Sequence, residues 1–450
     1  MQFQISEELI ENIQNLLSEG RDEELLLYLE EVHHADIAEI INELELDEAT
    51  HIIKILDTEK TSEALMELEE DIRERILNNL SAKEIAEELE NMDTDDAADI
   101  IAELSDERKQ EVIDEMVDEE HAEHIVELLR YDEDSAGGLM AKELVKVNEN
   151  WSVTGCMSEM RAQAEEVTRV HSIYVVDDKG RLKGRLSLKD LLTAPSDANI
   201  SDVYIPKVDY VNVNTEGEEV ARVMQKYDLE AIPVVDEMGR LVGRITIDDI
   251  VDLIREVAEK DYQMAAGISE DVEADDSILN HSRARLPWLI LALFGGLISV
   301  NLLGTFDDAL QEHAVLFFFV PLMAAMAGNV GVQSSAIILQ GLANKSLRGS
   351  LFNRLIKEIL LSLLNGVVLA VLLVVGGVLF LGMDFLFGIT IAISLISVII
   401  NASLIGTFVP IVLDRFGINP ALATGPFITT SNDIFGILIY FTIAKLILGF

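Results

Sequence analysis

Asp433 lies in the apolar run "GPFITTSNDIFGILIYF", a few residues after Thr429 and Thr430. A carboxylate at the centre of a membrane helix costs about 2.5–3.5 kcal/mol on insertion scales, so it must face a bundle interior or water. It also needs a proton or a cation, and Lys445, further along the run, is placed to snorkel towards the outer surface instead. A second apolar run contains "AGNVGVQSSAIILQG", where Gly328, Asn329, Gly331, Gln333, Ser334 and Ser335 interrupt the aliphatic pattern. In the last run Gly425-Pro426 is expected to break the helix and free carbonyls near Thr429, Thr430 and Asp433, which a membrane tolerates only around a buried or wet cavity. Small residues alone would serve helix packing, and a protonated Asp between helices is the bland reading of Asp433. Carbonyls, hydroxyls and a carboxylate together suit a hard cation that keeps much of its water, the habit of Mg²⁺.

Five apolar segments must position these groups, at about 287–306, 314–342, 359–382, 386–413 and 421–449. Each reaches the roughly 20 residues needed to span a hydrocarbon core. Arg283 and Arg285, then Lys345, Arg348, Arg354 and Lys357, then Arg415 lie at one set of ends; Asp307, Asp308, Glu312 and Asp384 lie at the other. The positive-inside bias therefore places residues 1–286 in the cytoplasm and the C-terminus outside, in a multi-pass cell (inner or plasma) membrane protein. The stretch "NKSLRGSLFNRLIKEILL" is expected to be partly interfacial.

The formal charge of −48 is confined to one part of the chain. Residues 287–450 hold seven acids and six bases, which leaves 74 acids and 27 bases in residues 1–286. That part is rich in Leu, Ile, Val and Ala at helical spacing, so it can bury a core. Its charge attracts cations and excludes nucleic acid as a partner. A single cysteine, Cys156, excludes intrachain disulfides and thiolate metal sites. The N-terminal "MQFQISEELIENIQ" has neither a basic region nor an apolar one, so no cleaved signal is expected.

Residues 170–192 and 229–251 repeat at an offset of 59: Asp177 matches Asp236, Gly180 matches Gly239, Gly184 matches Gly243 and Asp190 matches Asp249. Each copy reads as strand, glycine turn, strand and capped helix, too small to carry a core alone. The pair resembles tandem cystathionine-β-synthase (CBS) domains. The resemblance implies a cleft that can take ATP or another adenine nucleotide, with Ser187 and Asp190, and Thr246 and Asp249, at the contacting positions. A hydroxyl at a helix start is equally a cap. Before this pair, "HADIAEIINEL", "AKEIAEELENM", "TDDAADIIAEL" and "EEHAEHIVELL" describe short amphipathic helices stacked as a small solenoid.

The order of these parts resembles the MgtE family of magnesium channels over essentially the whole chain. The resemblance implies a multidomain membrane protein: an α-helical solenoid N domain (1–136), an α+β CBS pair (137–199 and 200–255), a connecting plug helix and linker (256–286) and a five-span α-helical transmembrane domain (287–450). It also implies a homodimer, with Asp433 around a hydrated Mg²⁺ and Thr429, Asn329 and Gln333 as neighbouring oxygen ligands. Cytosolic Mg²⁺ between the acidic domains would close the channel, through Asp95 and Asp99, Asp249 and Asp252, Asp261, and Glu218. Independently, the like charge of two acidic parts favours separation unless divalent ions bridge them.

The sequence departs from the family pattern at Ala327 and Val332 in the second span, at Gly425 and Asn419 around the fifth, and at Val257 and Lys260 on the connecting helix. The reading is a passive Mg²⁺ uptake channel, not an enzyme: the spans as bounded above offer no second deep carboxylate for an aspartyl dyad. A transporter for Co²⁺, Mn²⁺ or Ni²⁺, or a membrane-tethered Mg²⁺ or nucleotide sensor that conducts nothing, are the alternatives.

Overall fold

The computed structural model describes residues 5–164, 167, 169–269, 272, 276–347, 349–423 and 425–450. Arg348 of the basic loop and residues 270, 271 and 273–275 of the acidic connector lie outside the described residues. The chain divides into two compact units, 1–254 and 255–450.

Among the described residues the first unit opens with ten short helices, α1–α10: Glu7–Ser18, Asp22–Leu29, His34–Asn42, Leu46–Ile55, Thr58–Met66, Glu70–Asn79, Ala82–Leu89, Thr94–Glu103, Asp106–Glu115 and Glu119–Leu128. Polar caps start many of them. Ser81 and Glu84 form a reciprocal capping box at α7, and these bonds together with Lys54 hold the Glu84 carboxyl down at about 2. The buried stripe of each helix is the one its spacing predicts, for example Ile37, Ala38, Ile40 and Ile41 on α3. The solenoid expectation holds, and Arg73 pins it by pairing with Glu103 while donating to the carbonyls of Leu65, Met66 and Leu68.

The repeat folds as two matching three-stranded sheets. In one, β1 (Val145–Asn148) runs parallel to β2 (Ile173–Val176), which pairs antiparallel with β3 (Leu182–Leu186). In the other, β4 (Val211–Asn212), β5 (Ala231–Val235) and β6 (Leu241–Thr246) repeat the pattern. Helices α11 (Val153–Gln163) and α12 (Leu188–Thr193) accompany the first, and α13 (Gly217–Tyr227) and α14 (Ile247–Ala266) the second. The offset of 59 now has a structural cause. Asp177 accepts from the amides of Lys179 and Arg181, and Asp236 from those of Met238 and Arg240, while Gly180 and Gly239 take φ of +74° and +76°. The two turns then exchange bonds, Leu182 N–H to the Gly239 carbonyl (3.1 Å) and Leu241 N–H to that of Gly180 (2.9 Å).

In the second unit five helices are long and apolar enough to cross a membrane. They are α15 (Ile278–Gly304), α17 (Val320–Ala343, entered through a 3₁₀ turn from Ala314), α18 (Leu351–Leu381), α19 (Phe385–Arg415) and α20 (Gly425–Leu448), with the short α16 (Asp307–Glu312) after α15. The fifth helix starts at Gly425 and not at 421, and two other boundaries differ further from the hydropathy reading. The first helix starts at Ile278 and the third at Leu351, because both helices continue through residues whose charges ended the apolar runs. The core joins α17, α19 and α20 through Met323, Ala327, Leu395, Val398, Ala402, Ile437, Tyr440 and Phe441. Tyr440 donates to the Leu316 carbonyl at 2.8 Å, which removes the cost of burying its hydroxyl.

Candidate functional site

The expected break at Gly425-Pro426 is not there. These residues open α20, where a proline loses nothing because its missing N–H had no helical partner. The helix is continuous through Thr429 and Asp433, and Thr429 donates to the Gly425 carbonyl at 2.8 Å. α17 is likewise unbroken across Gly328 to Ser335. The glycines act by close approach instead. A Cβ at Gly331 would collide with the Asn432 side chain, one at Gly295 with Thr430, and one at Gly328 would sit 3.3 Å from the Thr429 methyl.

These approaches put the faces together. Thr429 and Asp433 lie one turn apart on α20, and Thr429 packs against Gly328, the neighbour of Asn329. Asp433 is half-buried; Thr429, Asn329 and Gln333 are exposed. Asp433 makes no hydrogen bond or ion pair among the described residues, so its oxygens are available. Along one exposed face of α17, Gln333 follows Asn329 by four residues and Gln340 follows Gln333 by seven.

Sequence reasoning missed two residues here. Asn432, buried, donates from Nδ2 to the Ala327 carbonyl at 3.2 Å and ties α20 to α17. Its signal was an amide beside a carboxylate in an apolar run. Glu358 is a second carboxylate within a membrane helix, in the second turn of α18, and accepts from Ser334 of α17 at 2.7 Å. The apolar run read from the sequence began one residue later, so Glu358 fell outside it.

At the start of this unit the end of α14 meets the start of α20. Asn419 Nδ2 donates to Asp261 Oδ1 at 3.1 Å, Gly425 lies against the Ala265 carbonyl, and Gly267 against the Pro426 ring. An amide at position 419 can bond Asp261 directly, where two carboxylates would need a cation between them.

In the first unit, the start of α8 meets the start of α14. Asp95 is buried, and its carboxyl is pushed well up by burial and then by the nearby Asp249 charge. Burial followed by Asp249 also raises Asp96 to about 7, and burial raises Asp249 to about 6, against the bonds it accepts from Thr246. Those bonds come from the Thr246 amide (3.0 Å) and hydroxyl (2.5 Å). Arg244, itself buried, supplies a cation: it pairs with Asp93 at 3.1 Å and donates to the Glu143 carbonyl at 2.5 Å. Thr94 donates its amide and hydroxyl to Glu143 Oε2. Asp99 lies one turn on from Asp95 at an exposed position; Asp252 on α14 and Glu218 on α13 are exposed too. Among the described residues no three His, Cys, Asp or Glu side chains converge as ligands for a metal ion.

The two proposed nucleotide hydroxyls are employed differently. Ser187 caps α12, accepting from the Asp190 amide at 3.1 Å, whereas the buried Thr246 donates to Asp249.

Residues 320–443 match the family model for the MgtE divalent cation transporter, 32–134 that for the MgtE intracellular N domain, and 136–197 and 200–256 that for the CBS domain. The chain is 36% identical over 449 residues to the magnesium transporter MgtE of Thermus thermophilus, covering 99% of each. It is 36% identical over 318 residues to the magnesium transporter MgtE of Bacillus subtilis, covering 70% of each. A crystal structure of the cytosolic domain of the Mg²⁺ channel MgtE in complex with ATP aligns with a TM-score of 0.51 at 37% identity, covering 54% of this chain and 99% of that one. The chain belongs to the MgtE family of divalent cation transporters.

Proposed function

We propose that this protein is a homodimeric Mg²⁺ channel that admits Mg²⁺ passively and closes when cytosolic Mg²⁺ binds its acidic domains. The carrying observation is the full-length likeness to magnesium transporters, with Asp433 unpaired on α20 beside the polar start of α17. Asp433 attracts the hydrated cation, and Thr429, Asn329 and Gln333 accept from or donate to its water shell. With the N-terminal part cytosolic and the C-terminus outside, a negative-inside potential favours entry of a divalent ion by about 4.6 kcal/mol per 100 mV.

The closing device is the carboxylate cluster of Asp95, Asp96 and Asp249, with Asp99, Asp252 and Glu218 as outlying charges. Opposed carboxylates in a desolvated interface repel, and a divalent cation that binds only the packed arrangement shifts the population towards it. Asp261 contributes at the end of α14, next to the start of α20. Adenine nucleotide at the CBS pair is a further regulator, supported by the ATP complex of the similar cytosolic domain, with Ser187, Asp190 and Thr246 as its candidate contacts. The substitutions at Ala327, Val332 and Gly425 bear on the choice among divalent ions. Uptake of Mg²⁺ into proteoliposomes with Co²⁺, Mn²⁺ or Ni²⁺ as competitors tests the reading. Preferential Mg²⁺ flux is the expected result; flux of another ion with none of Mg²⁺ overturns the selectivity, and metal binding without any flux overturns the channel.

A further inference from the structure

Several hydroxyls of the membrane helices bond within their own helix. Thr390, Ser394 and Ser397 of α19 and Thr429 of α20 each donate to the carbonyl four residues back, the usual arrangement inside a helix. Ser334 does not. Buried on α17, it donates at 2.7 Å to Glu358 of α18, 24 residues away in sequence. Four residues on from Glu358, Ser362 donates to Ser403 of α19 at 2.5 Å, so a polar seam joins α17, α18 and α19. Two turns earlier α17 is also tied to α20 by Asn432, which donates to Ala327, seven residues before Ser334.

Two ties seven residues apart, both on the buried side, fix the rotation of α17 about its own axis. Gly331, Ser334, Ser335 and Ile338 then point into the bundle, while Asn329 and Gln333 lie on the exposed face. We infer that Glu358 is a positioning residue: through Ser334 it sets the rotation of α17 and hence where Asn329 and Gln333 stand. The consequence for transport rests on the reading above that those two amides line the ion path. Glu358 accepts a hydrogen bond for this purpose, so a neutral acceptor of the same shape is sufficient.

The test uses the full-length protein in proteoliposomes with Cys156→Ser, and Gln333→Cys as a reporter labelled by a membrane-impermeant thiosulfonate. The same Glu358 and Ser334 variants without the reporter are assayed for the Mg²⁺:Co²⁺ uptake ratio. Glu358→Leu and Ser334→Ala are expected to change the labelling rate and the uptake ratio by about threefold, the factor an interhelical bond of average strength carries. Glu358→Gln keeps the acceptor oxygen and both wild-type values. Unchanged labelling in Glu358→Leu and Ser334→Ala, with the dimer and its melting temperature intact, overturns the inference. So does Glu358→Gln behaving like Glu358→Leu, which would make the charge itself the functional group. Shifted labelling in a protein that carries no Mg²⁺ supports the positioning role and overturns the transport reading alone.

Discussion

Protons and Mg²⁺ compete for the same carboxylates at the start of α8 and α14, so raising the pH from 6 to 8 should tighten Mg²⁺ binding there. Burial raises Asp96 to about 7 and Asp249 to about 6. The sign follows from the direction of these shifts. A carboxyl raised above its unfolded value adds most to stability when protonated, and that contribution fades as the pH climbs through the folded value. Without divalent ions, the packing of α8 on α14 is therefore firmest in acid and loosens between about pH 4 and 7. Mg²⁺ needs the ionised form. Displacing the proton from Asp96 weakens binding roughly tenfold more at pH 6 than at pH 8, and from Asp249 about twofold more, which gives about twentyfold together. The assay is protection of the full-length protein from limited proteolysis as Mg²⁺ is titrated at each pH. Asp96→Asn should remove its roughly tenfold share of the pH effect. A midpoint that does not move between pH 6 and 8 would refute the argument that these carboxylates hold the ion.

Other outcomes follow from single contacts. Removing Arg73 as Arg73→Met strands the mostly buried Glu103 and should cost about 3–5 kcal/mol, read by denaturant unfolding of the first unit. Gly331→Ala forces a Cβ into the Asn432 amide and should lower stability by about 1–3 kcal/mol, seen as a lower melting temperature in detergent. Asn419→Asp replaces the donor to Asp261 with a second carboxylate, so cross-linking between the end of α14 and the start of α20 should become Mg²⁺-dependent. Cys156, buried and pushed up to about 11 by desolvation, should stay unreactive towards thiol reagents until the protein unfolds.

What the sequence disclosed was set by distance along the chain. Five apolar runs and a repeat at a fixed offset are local patterns, and the Asp177 and Asp236 turns explain why the repeat keeps those positions. Helix ends were less legible. Arg354 and Lys357 ended an apolar run but not α18, because a helix continues into the interface while its charges snorkel. That misreading left Glu358 outside the span. Gly425-Pro426 looked like a break because its place relative to the first turn of α20 cannot be read from composition. The carboxylate cluster at the start of α8 and α14 was partly visible as Asp95 and Asp249. Its counter-cation was not, since Arg244 reaches Asp93 across 151 residues.

The central claim is tested most directly by Mg²⁺ influx into proteoliposomes holding a trapped Mg²⁺ indicator, comparing wild type and Asp433→Ala at low and high Mg²⁺ on the cytosolic face. The account predicts wild-type influx that high cytosolic Mg²⁺ shuts off and that Asp433→Ala impairs at low Mg²⁺. Influx in Asp433→Ala equal to wild type, or wild-type influx indifferent to cytosolic Mg²⁺, would contradict it.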